Sequence, residues 1–110
     1  MRAEPCALRA WSSCSGFVDT HTVLQRAALS DRAVIRGLSI PLCRLHRRID
    51  DDDPILAERL GIRIPRWAYD LDPEGTVAWC AETRAGLQGN YSDPYSSYFL
   101  HDRTPPWRAN

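Results

Sequence analysis

Apolar and polar residues form only short periodic stretches along the 110-residue chain, so the elements they predict are short. In GFVDTHTV, residues 16–23, polar side chains alternate with apolar ones and β-branched residues are frequent, which predicts a hairpin or paired strands. From Leu24 to Leu38 the apolar residues have helical spacing with an interruption at 29–31, which predicts two short helices. The first part of the chain therefore combines strand and helix.

Proline and glycine mark the ends of the next elements. Pro41 opens a segment in which Leu42, Leu45 and Ile49 share one helical face, and an acidic run before Pro54 closes it. The segment PILAERLG, residues 54–61, has proline in its first turn and glycine at its end. Two consecutive helices are predicted here.

A hairpin is predicted over residues 65–81, because the aromatic and aliphatic positions of RWAYDL lie opposite those of VAW across a DPEG turn. Residues 86–110 are rich in turn residues, aromatics and prolines, and we interpret them as an irregular tail. The pattern as a whole predicts a small α+β fold with one domain over residues 1–85.

Length and composition exclude two broad classes of protein. A hydrophobic fraction of 44% with four tryptophans is too high for a disordered chain. The sequence contains no apolar run of membrane-spanning length, and Glu4 and Pro5 interrupt the stretch that a signal peptide would need. We therefore expect a cytoplasmic protein with no membrane partner, in which thiols stay reduced.

Charge is distributed unevenly although the formal net charge is zero. Residues 1–50 contain eight arginines and four acidic residues, whereas residues 51–110 contain six arginines and ten acidic residues. A basic first half suits a nucleic-acid surface. The chain contains no lysine, however, and a genome-wide preference for arginine explains the same numbers equally well.

The cysteines and one histidine form two close pairs. Seven residues separate Cys6 from Cys14, and two residues separate Cys43 from His46, so that the second pair fits one helical turn. Four Cys or His ligands delivered as two pairs are what a structural zinc site uses. We predict that these four residues bind a structural Zn²⁺, and that Cys80 is a core residue.

The order of these residues resembles that of the HNH endonucleases of the ββα-metal class, particularly small phage-type members with a zinc-supported core. The resemblance covers about residues 5–50, and its most specific parts are VDTHTV and IPLCRLHRRID. It implies a ββα core around the zinc, with extra helices and the C-terminal hairpin outside it. It also implies phosphodiester cleavage assisted by a divalent ion, Mg²⁺ or Mn²⁺.

Residue by residue, the resemblance makes Asp19 the leading acidic residue and His21 a ligand of the catalytic metal ion. Thr22 stands at the position of the general base, and its hydroxyl cannot take a proton from water near neutral pH. Arg47 stands where the family has a second metal-binding histidine, and a guanidinium has no lone pair for a cation. The family's central asparagine has no match at Leu38. Cleavage is therefore expected to be weak or absent, unless another base such as His101 takes part.

The arginines of the second motif are the expected nucleic-acid contacts. Arg44, Arg47 and Arg48 would contact phosphates of double-stranded DNA if the zinc-supported core forms. The alternative is a solvated face whose arginines form weak pairs with the acidic run at 50–53. The aromatic tail could contact another protein.

Two further interpretations of the chain use no metal. Residues 23–40 can form a helix-turn-helix with Arg32 and Arg36 facing DNA and the hairpin at 67–80 as a wing. Gly37 and Pro41 would shorten that recognition helix, and the cysteines would have no role. A small protein-interaction module without a nucleic-acid role also fits the zero net charge.

Overall fold

Strands and helices both occur in the computed structural model, which describes residues 5–9, 11, 13–25, 38–89 and 104–108. The small α+β fold predicted from the sequence is confirmed in this coarse sense. The elements in chain order are β1 (Val18–Thr22), β2 (Ser39–Cys43), α1 (Arg44–Asp52), α2 (Pro54–Arg59), α3 (Arg66–Leu71) and α4 (Pro73–Gly89).

The sheet consists of β1 and β2, which pair in antiparallel register with His21 opposite Ile40. β-Branched residues at alternate positions of β1 favour the extended backbone. The Pro41 carbonyl accepts a hydrogen bond from the Ala7 N–H at 2.7 Å, so the backbone N and O of Pro41 face away from β1. The missing N–H of this proline therefore leaves the pairing of β2 with β1 intact. The segment around Ala7 thus lies along the outer edge of β2.

Helix α1 follows β2 directly, so the chain runs strand, strand, helix. Cys43 is the last residue of β2 and also the N-cap of α1. The predicted start of this helix at Pro41 is wrong, because the backbone stays extended until residue 43. The predicted apolar face is therefore divided: Leu42 is fully buried in the strand, whereas Leu45 on α1 is 44% exposed.

Helix α2 confirms the prediction made for PILAERLG. The carboxylate of Asp53 accepts a hydrogen bond from the Leu56 N–H at 3.2 Å, and Pro54 begins the helix. Gly61 follows the helix with a φ of +77°, and a Cβ atom there would lie 2.7 Å from the Cys80 carbonyl oxygen. Only glycine fits this close approach to α4 without a shift of the backbone.

The hairpin predicted over residues 65–81 is wrong, because this region forms α3 and α4. The DPEG segment is a helix start: the Asp72 carboxylate accepts the Gly75 N–H at 3.1 Å, Pro73 begins α4, and Glu74 lies in its first turn. The buried residues of α4 recur at helical rather than strand spacing: Thr76, Val77, Cys80, Thr83, Arg84 and Leu87. Cys80 is a core residue as predicted, but it lies on a helix.

Several predictions fall on residues outside the described ranges. Most of the two helices expected between Leu24 and Leu38 belong to this group, as does His101. Helix α4 continues to Gly89, beyond the predicted tail boundary at residue 86. None of the helices in the described ranges combines the length and the apolar character that crossing a membrane requires.

A buried carboxylate joins α2 to the C-terminal segment. Glu58 is 2% exposed and accepts hydrogen bonds from Trp107 Nε1 at 2.7 Å and from Arg108 Nη2 at 2.7 Å. The Trp107 ring also packs edge-on against Trp79 of α4, with ring centroids 5.4 Å apart. Residues 104–108, predicted to be irregular tail, are thus part of the packed body.

We expect Glu58→Gln to reduce the free energy of unfolding by about 2 kcal/mol, because one of the two buried oxygens that accept from Trp107 and Arg108 becomes an NH₂ group that cannot accept. Chemical denaturation measures the change. Glu74→Gln is the matched control, since Glu74 is exposed on the first turn of α4 and its charge is worth less than about 1 kcal/mol. Equal effects of the two substitutions would contradict the anchoring role of Glu58.

Candidate metal centre

Four side chains converge where β2 passes into α1. The ligand atoms of Cys6, Cys14, Cys43 and His46 all lie within 4.8 Å of one another. His46 Nδ1 is 3.3 Å from the sulfur atoms of both Cys6 and Cys43, and 3.8 Å from that of Cys14. The structure thus brings together the four residues that the sequence pairs as ligands.

Two backbone hydrogen bonds bring the distant cysteines to the strand–helix junction. The bond from Ala7 N–H to the Pro41 carbonyl holds the Cys6 segment against β2. The bond from Leu45 N–H to the Ser15 carbonyl, at 3.0 Å, holds the Cys14 segment against the first turn of α1. Gly16, with a φ of +84°, allows the chain to turn there, where a Cβ atom would meet Arg44 Cβ at 2.6 Å.

Backbone N–H groups donate hydrogen bonds to two of the sulfur atoms, those of Cys6 and Cys43. The N–H of Cys43 lies 3.3 Å from Cys6 Sγ, and the N–H of His46 lies 3.4 Å from Cys43 Sγ. Burial opposes ionisation of Cys43, but hydrogen bonds from the backbone N–H groups of His46 and Ser15, together with those from the Cys14 and Cys6 thiols, lower the pKa of this thiol. Such donors stabilise thiolates, which are the form that binds metal ions.

Cys14 and His46 differ from Cys43 in their ionisation. Partial burial, together with the thiols of Cys6 and Cys43, raises the pKa of Cys14 to about 12. The crowded thiols thus disfavour a second thiolate unless a cation compensates its charge. Burial lowers the pKa of His46, which favours the neutral imidazole that acts as a ligand.

The geometry fits a tetrahedral ion. Ideal zinc–sulfur and zinc–nitrogen bonds in a tetrahedron place sulfur and nitrogen ligands about 3.6 Å apart. The three sulfur–nitrogen distances observed here, between 3.3 and 3.8 Å, bracket that value. Three ligands are buried and only Cys14 is exposed, so the cluster lies just below the surface. The chemistry of the donor set therefore suits a soft or borderline divalent ion.

Comparison with protein-family models, with curated proteins and with solved structures finds no match for this chain. The function has to be inferred from the side chains themselves. Membership of the HNH family stays a prediction that rests on the motifs.

The two residues expected at the catalytic metal have different environments. Asp19 projects into solvent from β1, and its carboxylate lies 3.9 Å from Arg47 Nη1. His21 is buried, and its Nε2 donates a hydrogen bond to the Ile62 carbonyl at 2.9 Å. This bond ties one ring nitrogen of His21 to the backbone and leaves only Nδ1 for any other partner.

The three predicted nucleic-acid contacts share an open cleft beside the metal cluster. This surface, the arginine cleft, has a volume of about 460 Å³. It is bounded by the start of β1, the end of β2 and the outer face of α1. The lining residues are Phe17, Val18, Asp19, Leu42, Arg44, Arg47, Arg48 and Asp51.

Sequence reasoning missed one prominent residue of this cleft. The alternating pattern of residues 16–23 treats Phe17 as an apolar strand position, yet the ring is 83% exposed. The available signal was its position directly after Gly16, because glycine marks turns and connecting segments run over the protein surface.

We expect the purified protein to bind one metal ion per chain. The Cys43→Ala variant is expected to lose the ion and also to lose its cooperative unfolding transition. Elemental mass spectrometry and thermal denaturation measure the two effects. Cys80→Ala is the matched control, because Cys80 is equally buried but lies outside the cluster.

A second variant separates ligand loss from general destabilisation. His46→Cys keeps four ligands and is expected to retain the ion, whereas His46→Ala is expected to lose it. A folded protein that holds no metal ion, or a Cys43→Ala variant with an unchanged metal content, would contradict a metal centre here.

Proposed function

We propose that this chain is an HNH-like, zinc-stabilised module that binds nucleic acid and cleaves it weakly or not at all. The observation that carries the proposal is the juxtaposition of the Cys₃His cluster with the arginine cleft, both built on the first turns of α1. The cluster would fix the helix, and the helix presents its arginines at the surface.

Zinc is the ion that the cluster suits best. Three thiolates and one imidazole form a closed donor set, typical of structural zinc sites that leave no position open for catalysis. A cytoplasmic location would keep the three thiols reduced and available to the ion. Zinc would here join the N-terminal segment to the strand–helix junction.

The arginine cleft supplies cations for phosphate groups. Arg44 and Arg48 lie one helical turn apart on α1, and both are exposed. Within the described ranges, neither forms an ion pair with a carboxylate. Arg47 is also exposed, and its contact with Asp19 is long and solvated, so it contributes little. Guanidinium groups placed in this way are suited to bidentate contacts with phosphate oxygens.

The same positions argue against efficient cleavage. Arg47 brings a permanent positive charge to Asp19, the acidic residue that the family resemblance assigns to the catalytic site. His21 has one ring nitrogen bonded to the Ile62 carbonyl, and the Thr22 hydroxyl cannot serve as a base near neutral pH. Phosphate binding is therefore the function that these residues support.

We expect a variant with Arg44, Arg47 and Arg48 all replaced by alanine to bind a labelled oligonucleotide more weakly. Each phosphate that an arginine neutralises releases counterions, so affinity falls as salt concentration rises. In the triple variant the slope of log affinity against log salt concentration should become shallower by about 0.7 to 0.9 for each phosphate contact that is lost. Fluorescence anisotropy over a salt series measures this slope. Arg66→Ala is the control, since Arg66 pairs with Asp70 on α3, away from the cleft. An unchanged slope in the triple variant would argue against phosphate binding in the cleft.

We expect the protein to leave supercoiled plasmid intact with Mg²⁺ or Mn²⁺, because the base and one metal ligand of the family are replaced. Gel electrophoresis of the plasmid measures nicking. The His21→Ala variant distinguishes a contaminating nuclease from intrinsic activity. Robust cutting that disappears in His21→Ala would show that the protein is an active nuclease.

A further inference from the structure

Phe17, which lines the arginine cleft, is the most exposed large apolar residue in the described part of the chain. Phe17 is 83% exposed, although burying a ring of this size is favourable by about 2 kcal/mol. Its backbone is held in place from both sides: Gly16 packs against the first turn of α1, and Val18 begins β1. The ring is therefore presented to solvent by an ordered turn.

The ring and the arginines border the same space. Phe17, Arg44, Arg47 and Arg48 all line the arginine cleft, whose volume of about 460 Å³ lies in the range of small-molecule pockets. An aromatic face beside several guanidinium groups matches a nucleotide, which has a flat base and a charged phosphate. Base stacking on an aromatic side chain tolerates any base, because every base has a π face.

The exposed ring favours an unpaired strand over a duplex. In a regular duplex the bases already stack on one another, so a protruding phenylalanine finds no free base face. In a single strand the bases can splay apart and stack on protein aromatics while arginines hold the backbone. An anionic membrane surface would also attract arginines, but a concave cleft lined by residues of both strands and of α1 suits a narrow strand better than a flat lipid surface.

We propose that the arginine cleft binds single-stranded nucleic acid, with Phe17 stacking on one base and Arg44, Arg47 and Arg48 contacting the flanking phosphates. This inference rests on the proposed nucleic-acid function and departs from the double-stranded DNA expected from the sequence. It assigns Phe17 as a binding residue that sets the preference for unpaired strands.

The test compares a labelled oligothymidylate of about 15 nucleotides with its duplex, using fluorescence anisotropy at fixed salt. We expect the wild type to bind the single strand more tightly than the duplex. Phe17→Ala should weaken single-strand binding by about five- to a hundred-fold, the range that removal of one stacked base gives. Duplex binding should change much less.

Two further variants keep the result interpretable. Phe17→Tyr retains an aromatic face and should bind nearly as the wild type does. Leu45→Ala removes an exposed apolar side chain from α1 that does not line the cleft, and it should have no effect on binding. Metal content and thermal unfolding are measured for each variant to establish that it is folded.

Each other outcome overturns the inference in a distinguishable way. If the triple arginine variant weakens binding but Phe17→Ala does not, the stacking role is wrong and the proposed function stands. Equal weakening on single strand and duplex would indicate a ring that wedges into paired DNA. Failure of the wild type to bind either oligonucleotide would overturn the proposed function as well. Binding to phosphatidylserine vesicles, but not to oligonucleotides, that disappears in Phe17→Ala would assign the cleft to a membrane surface.

Discussion

The convergence of three cysteines and one histidine at the end of β2 is the constraint on which the rest of the structure depends. A two-stranded sheet is marginal in water without further support, and a domain of this size buries a limited core. Cys43 ends the strand, caps the helix and lies 3.3 Å from His46 Nδ1. An ion bound there would link the strand–helix junction to segments that lie about thirty to forty positions earlier in the chain.

Polar contacts join α2 to the C-terminal segment and to α4. Glu58 on α2 accepts hydrogen bonds from Trp107 and Arg108, and the buried Arg84 on α4 donates to the Gly61 carbonyl just after α2. Burial lowers the pKa of Arg84, although its guanidinium keeps a backbone partner. The fold therefore combines an apolar core with buried charged groups such as Glu58 and Arg84, each of which forms hydrogen bonds between two parts of the chain.

Local chemistry was predictable from the sequence, whereas long-range partners were not. Two short-range signals in the sequence correspond to features of the fold. One is the spacing of Cys43 and His46 within one helical turn, and the other is the proline and glycine at the two ends of α2. The DPEG segment was ambiguous in the sequence, because Asp and Pro favour both a turn and a helix start. Apolar periodicity was too weak to decide between them, since the buried face of α4 also includes Thr76, Thr83 and Arg84.

Other features depend on the assembled fold. The carbonyl that accepts from His21 lies forty-one residues away along the chain, and the partners of Glu58 lie about fifty residues away. No local pattern identifies such contacts.

The four ligands of the metal centre differ in their exposure to solvent. Cys6, Cys43 and His46 are enclosed, whereas Cys14 faces solvent. Among the four ligands Cys14 is the one open to solutes, so exchange of a bound ion would begin with the release of that thiolate while the three buried ligands still hold the ion. Chelators would then compete first with Cys14, so the rate of metal loss would be governed by the release of one exposed ligand rather than by unfolding of the whole domain.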